Sequence, residues 1–186
     1  QLINVSTADR ATDDGLGRAR PQQLIKNGNF KNLDGVTTRP KGWTGIFNGT
    51  WSQETSDLPL GFTTGFKFIS NAAGISNLYQ TVYDSANISG SLIKDISKWV
   101  GREITVSFWV KNVGTLTPSI RGGFTTDSKT YFSDGNYFAA TVVGGWQKFV
   151  VGYKVTGNET KLCVGLRIAG VGEGFITTGF SLADDC

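Results

Sequence analysis

Three stretches of this chain alternate apolar and polar side chains one residue at a time, and that period of two fixes most of what the chain can fold into. In residues 104–111 (ITVSFWVK), Val106, Phe108 and Val110 alternate with Thr105, Ser107, Trp109 and Lys111. In residues 162–168 (LCVGLRI), Leu162, Val164, Leu166 and Ile168 alternate with Cys163, Gly165 and Arg167. Residues 146–155 (WQKFVVGYKV) place Phe149, Val151, Tyr153 and Val155 on one side, with Lys148 and Lys154 on the other. Successive side chains of a strand point to opposite faces, so each stretch reads as a strand with one face in a core. Residues 23–25, 50–54, 65–69, 77–83, 119–125 and 175–182 read as further strands. About nine short strands divided by turn residues predict an all-β fold, two antiparallel sheets packed as a sandwich. One segment, 88–100 (ISGSLIKDISKWV), sets Leu92, Ile93, Ile96 and Trp99 near helical spacing. Gly90 and the β-branched residues limit it to one short helical turn.

Composition agrees with that reading. The 186 residues include 25 glycines and 12 phenylalanines but no methionine and no histidine, which favours many strands and tight turns. The length suits one large sandwich able to bury a core without disulfide staples. Residues 1–23 (QLINVSTADRATDDGLGRARPQQ) are polar, bury little, and read as a linker or stalk ahead of a single domain over 24–186. The missing initiator methionine leads us to expect a fragment or a processed product. The net charge of +3 is spread along the chain with no basic block, which argues against nucleic acid as a partner. No apolar run approaches a membrane span, so membrane insertion is not expected. Cys163 and Cys186 match no zinc spacing; two free thiols is the simpler reading and one late-forming bridge the alternative.

The residue inventory also excludes chemistry. Without histidine there is no nucleophile–histidine triad of the usual kind and no histidine metal site. No phosphate-binding glycine loop stands between a strand and a helix, and the GVGEG run at 170–174 reads as a turn. A glycosidase needs only two acids a few ångströms apart, yet the 15 acids here fall mostly in the linker and in turns, with no spacing that pairs them. The chain reads as a non-enzyme.

The order of pieces supports something more specific. LIKNGNF at 24–30, Gly42-Trp43, LYQTV at 78–82, WVGREITVSFWVK at 99–111, GWQKF at 145–149 and a last strand at 175–182 follow one another. This order resembles the galactose-binding-like jelly roll of the carbohydrate-binding modules. It is similar above all to the variant in phage tail fibres and other phage structural proteins, which opens on an NLLxNGdF strand. The resemblance covers residues 24–185 and rests mostly on strand and turn grammar, so it speaks to fold more than ligand.

The resemblance implies a module that binds a cell-surface polysaccharide or other glycan, located in a virion tail outside the cell and homotrimeric through its parent protein. A structural or oligomerisation domain of the tail, or an accessory module of a secreted glycoside hydrolase, are the alternatives. It also implies a structural calcium in some members, for which Asn29, Asp184 and Asp185 are the candidate ligands; Lys31 stands where calcium-holding members tend to supply an acid. No other cofactor is implied.

Several residues have a structural reading of their own. Asn27-Gly28 suits a turn that needs positive backbone angles, Trp43 and Trp146 suit caps over the sandwich ends, and Gln80 is a buried amide that must find partners. The ligand candidates are the aromatics that alternation or loop position places outside the core: Trp51, Tyr79, Tyr83, Trp109, Tyr131 and Tyr137. With the aliphatic residues inward, Tyr79, Trp109 and Arg167 are expected to emerge on one outer surface, beside the YFSDGNYF loop at 131–138. A ring and a guanidinium on one face could stack on a sugar and fork hydrogen bonds to hydroxyls or to an acidic sugar's carboxylate. Cover by a neighbouring subunit is the plain alternative.

Overall fold

A computed structural model describes residues 24–35, 39–114, 119–135, 137–141 and 144–185, so the 1–23 linker and Cys186 lie outside the described residues. The alternating stretches become strands where expected: β5 is Glu103–Asn112, β8 is Gln147–Lys154 and β9 is Lys161–Ile168. The shorter runs become β2 (Gly49–Glu54), β3 (Gly65–Ser70), β4 (Ser76–Asp84), β6 (Ser119–Thr125) and β10 (Gly174–Asp185). Two strands were not anticipated, β1 (Thr44–Ile46) and β7 (Tyr137–Thr141), because neither is long enough to show a period. Of the run at 23–25, residues 24 and 25 are described; the Leu24 amide donates to the Leu182 carbonyl at 3.1 Å, and neither residue belongs to a strand.

The strands form two five-stranded sheets, ordered β1-β4-β9-β6-β7 and β2-β3-β10-β5-β8, here called the first and second sheet. Every pairing is antiparallel. The architecture is the two-sheet sandwich that the alternation predicts. Val106, Phe108 and Val110 from the second sheet meet Leu162, Val164, Leu166 and Ile168 from the first in a fully buried core. At its centre Phe108 stacks on Phe180, with ring centroids 4.4 Å apart and planes 6° from parallel. Segment 88–100 forms two short 3₁₀ turns, Ile88–Gly90 and Ile96–Trp99, capped by the Asn87 and Asp95 side chains. No helix among the described residues is long and apolar enough to cross a membrane.

The opening segment closes one end of the sandwich. Trp43 is buried as a cap over Phe30 and Phe180, and its Nε1 donates to the Asn27 carbonyl at 3.1 Å. Asn27 takes a φ of 53°, which its short polar side chain tolerates. Gly28 is required for a different reason than a turn: a Cβ there would lie 2.0 Å from the Phe180 carbonyl oxygen. Gln80 finds its partners in the backbone of Lys26, accepting from the amide at 3.2 Å and donating to the carbonyl. Trp146, the other expected cap, keeps its indole N–H buried with no hydrogen-bond partner among the described residues.

Two bulges redirect side chains that alternation alone misplaces. Between Thr81 and Tyr83 the register of β4 against β9 slips, so that Tyr83 pairs with inward-facing Leu162 and enters the core. Tyr83 is therefore not an outward aromatic. Between Thr178 and Ser181 β10 inserts a residue against β5. Phe180 turns into the core there, and Gly179 adopts a φ of 69°. Cys163 is buried and unpaired, and burial pushes its thiol pKa up to about 11.

Candidate functional site

In β5 and β9 the aliphatic residues face inward as expected, but the outside is two surfaces, not one. Trp109 lies on β5 and faces out from the second sheet, whereas Tyr79 on β4 and Arg167 on β9 face out from the first. The three do not share a face. Alternation tells a residue's side of its own sheet but not which sheet the strand joins, and β5 and β9 join different ones. Trp51 is also corrected: it pairs with inward-facing Phe68, stacks on Phe66 at 6.0 Å and packs against the core. The backbone positions of the candidate calcium ligands are separate along β10. The Phe180 amide donates to the Gly28 carbonyl, which puts Asn29 at that level of β10, while Asp184 and Asp185 pair with Ile104 and Glu103. Four strand residues, about 13 Å, separate Phe180 from Asp184.

Trp109 lies in a groove of about 720 Å³ on the second sheet's outer face. Its floor is Trp109, Ser107, Ser181 and Gly179, with Phe62 and the opening segment as walls and Lys31, Lys148, Asn29 and Asn32 at the rim. Both rings converge on Gly179, where a Cβ would come within 2.6 Å of Phe62 and 3.4 Å of Trp109. The absent side chain keeps the space between them open. Among the described residues no carboxylate lines the groove, and Lys148 lies directly across the strand pair from Trp109.

The segment that presents Phe62 is fastened at several points. Lys111 Nζ grips the Asp57 carboxylate at 2.8 and 2.9 Å. Thr64 Oγ1 donates to the Asn29 carbonyl at 2.6 Å, and Thr178 Oγ1 donates to the Thr64 carbonyl at 2.7 Å. Glu54 opens the segment by accepting from the Thr55 amide and from the amide and hydroxyl of Ser56. The Ser56 hydroxyl above all, with its amide, holds the Glu54 pKa down to about 2. Sequence reasoning missed Phe62, because a loop phenylalanine has no period to place it.

The first sheet's outer face is built differently. One row across it runs Asn77, Arg167, Arg121, and the next runs Tyr79, Gly165, Gly123, Tyr137. Arg121 was legible in the alternation of β6, between inward Ile120 and Gly122, but was passed over. Its guanidinium lies 5.4 Å from the Tyr137 ring centroid. The loop of residues 126–135 folds over this face, with Asn77 Nδ2 donating to the Thr130 carbonyl at 3.0 Å. Asp127 organises the loop, accepting from the Thr125 hydroxyl and from the Tyr131 and Ser133 amides. Burial alone would raise its pKa, but those hydrogen bonds outweigh it and the carboxyl sits below its ordinary value. Tyr131, a candidate from sequence, is half-buried in this loop with Lys129 Nζ 6.0 Å from its ring centroid.

No family model matches the sequence, and no curated protein does. Solved structures do. The chain is similar to the enzymatically active domain of tailspike protein 4 of bacteriophage CBA120, at 17% identity and a TM-score of 0.59, over 87% of this chain and 21% of that one. It thus spans about a fifth of that tailspike structure. It is similar to the CBM22-1 xylan-binding domain of Paenibacillus barcinonensis Xyn10C, at 13% identity and a TM-score of 0.57, over 88% of this chain and 95% of that one. It is likewise similar to TmCBM61, solved with β-1,4-galactotriose, at 12% identity and a TM-score of 0.57, over 88% of this chain and 99% of that one. The fold is the two-sheet jelly roll that these structures share. Several of the described acids accept hydrogen bonds from their own turns. Among the described residues, the carboxyls whose acidity the fold changes, Glu54, Asp95, Asp127 and Glu159, are all pushed down. Glu159, for instance, accepts from the Tyr153 and Thr156 hydroxyls and from the Thr156 and Gly157 amides. A general acid needs the opposite shift.

Proposed function

We propose that this jelly roll is a non-catalytic carbohydrate-binding module that seats a glycan in the groove between Trp109 and Phe62. The observation that carries the reading is the convergence of those two rings over Gly179, beside hydroxyl, amide and ammonium groups. A pyranose ring has an apolar face that stacks on an aromatic side chain and an edge of hydroxyls that needs hydrogen-bonding neighbours, and the groove offers both. Its fastened walls reduce the ordering cost of binding. The lack of histidine and the downward shifts of the loop-bound acids support the non-catalytic part.

The test is a glycan array read with the intact chain and with Trp109→Ala and Phe62→Ala, beside circular dichroism. Each variant is expected to keep the β-sheet spectrum and to lose at least about tenfold in affinity for the glycan the wild type selects, roughly 1.4 kcal/mol. Unchanged binding by both folded variants removes the groove from consideration.

We further read the module as part of a phage tail protein that recognises a host surface glycan and is trimeric through its parent chain. The similarity to a tailspike domain supports this, and the similarity to a xylan-binding domain of Xyn10C supports the alternative of a secreted enzyme's accessory module. Sedimentation mass separates them: a stable trimer favours the tail.

A further inference from the structure

The middle of the first sheet's outer face carries a charge arrangement that the chain does not compensate by itself. Arg121 on β6 and Arg167 on β9 are direct register partners, and both point away from the core. Like charges directly opposite on neighbouring strands are destabilising. Among the described residues neither guanidinium comes within ion-pair distance of a carboxylate. Among the described residues Arg167 Nε is buried with no hydrogen-bond partner, and the Arg121 guanidinium makes a single 3.5 Å contact, from Nη1 to the Phe132 carbonyl. The acids whose charge reaches Arg167 are already engaged: Asp127 by its loop, and Glu173 by the Ala169 and Gly170 amides, each at 2.8 Å. Burial first, and then the Arg121 charge, push the Arg167 pKa down, as expected of a cation held without a counterion.

The surroundings fit a ligand. Both arginines are only half-buried, and beside them Gly165 and Gly123 give a strip of sheet without side chains, flanked by Tyr79 and Tyr137. The loop above is strained, with Thr130 at φ 58° and Phe132 at φ 52°, a conformation that non-glycine residues keep only where their surroundings hold it. We infer that Arg121 and Arg167 together bind an anionic group of a glycan, the carboxylate of an acidic sugar or a sulfate ester, on the face opposite the Trp109 groove. Paired guanidinium forks match the oxygens of either anion, and a bound anion would cancel the repulsion. The inference shares with the proposed function the premise that the ligand is a glycan, but not the groove.

The experiment is isothermal titration of the full chain with a galacturonic acid trimer, a sulfated galactose trimer and neutral galactotriose. Wild type is expected to bind one of the acidic trimers at least tenfold more tightly than the neutral one, and which of the two identifies the anion. Arg121→Gln and Arg167→Gln should each remove that preference without changing the response to galactotriose. Arg167→Lys, which keeps charge but loses the fork, should retain part of it. Trp109→Ala should leave the preference intact, so failure of the groove and failure of the arginine site are separate results. The ligand-free Arg167→Gln variant should melt at or above the wild-type temperature, because it removes a repulsion. The inference is overturned by equal binding of acidic and neutral trimers, by glutamine variants that keep the preference, or by a clear drop in the melting temperature of Arg167→Gln, which would make the pair structural.

Discussion

Gln80 shows how a single residue links sequence to fold. Placed between Leu78 and Val82 on the core face of β4, it is an amide that burial makes costly unless both its ends are paired. The structure pairs them with the amide and carbonyl of Lys26, so one side chain ties the opening segment to the first sheet. Gln80→Leu should therefore cost about 1–3 kcal/mol in urea unfolding, since two backbone groups lose their partner at once. Hydrogen exchange at the Lys26 amide should rise in the same variant; an unprotected Lys26 amide in the wild type would contradict the pairing. That Gln80 needed partners was legible from its position, but their identity was not, because they lie 54 residues away. Tyr83 and Trp51 failed as outward aromatics for comparable reasons. A bulge turns the first inward, and the second sits on an edge strand whose face is set by its pairing with β3.

At the scale of elements, the long alternating strands were legible and the irregular pieces that shape the groove were not. β5, β8 and β9 follow directly from their period of two, whereas the bulge at Gly179 and the loop that carries Phe62 arise from register and from hydrogen bonds. That loop depends on Glu54, which yields a pH dependence. The Glu54 carboxyl is lowered from 4.5 to about 2, chiefly by the Ser56 hydroxyl and amide. A group whose folded pKa is depressed adds stability that is fully present above its unfolded pKa and is lost as pH falls through the folded value. The contribution should thus fade between pH 4.5 and about 2. Glu54→Gln should flatten the wild-type fall in melting temperature across that window and leave the two proteins parallel above it. The Glu54 side chain is 14% exposed and its carboxylate lies 3.9 Å from the Lys67 ammonium at the surface, so the effect should be modest and shrink further in salt. Equal slopes for both proteins would show that the carboxylate does not hold the turn.

For the whole molecule, alternation settles how many faces are buried and leaves open how the strands are divided between sheets. Residues as similar in pattern as Trp109 and Arg167 therefore looked like neighbours in sequence terms and are on opposite sides of the sandwich. The division comes from the chain crossing between sheets, β4 and β9 pairing on one side while β5 and β10 pair on the other, a long-range choice that no local window contains. It has a measurable consequence. Packed sheets lie about 10 Å apart, and outward side chains on both add to that, so the groove and the arginine pair are roughly 20 Å from each other with the core between them. Sites so far apart without shared partners combine additively, within about 0.5 kcal/mol. For a glycan long enough to engage both sites at once, the binding losses of Trp109→Ala and Arg167→Gln should therefore multiply in the double variant. If both contacts instead served one ligand position, the second substitution would cost far less after the first, and a double-mutant cycle by titration calorimetry would show a coupling well above that bound.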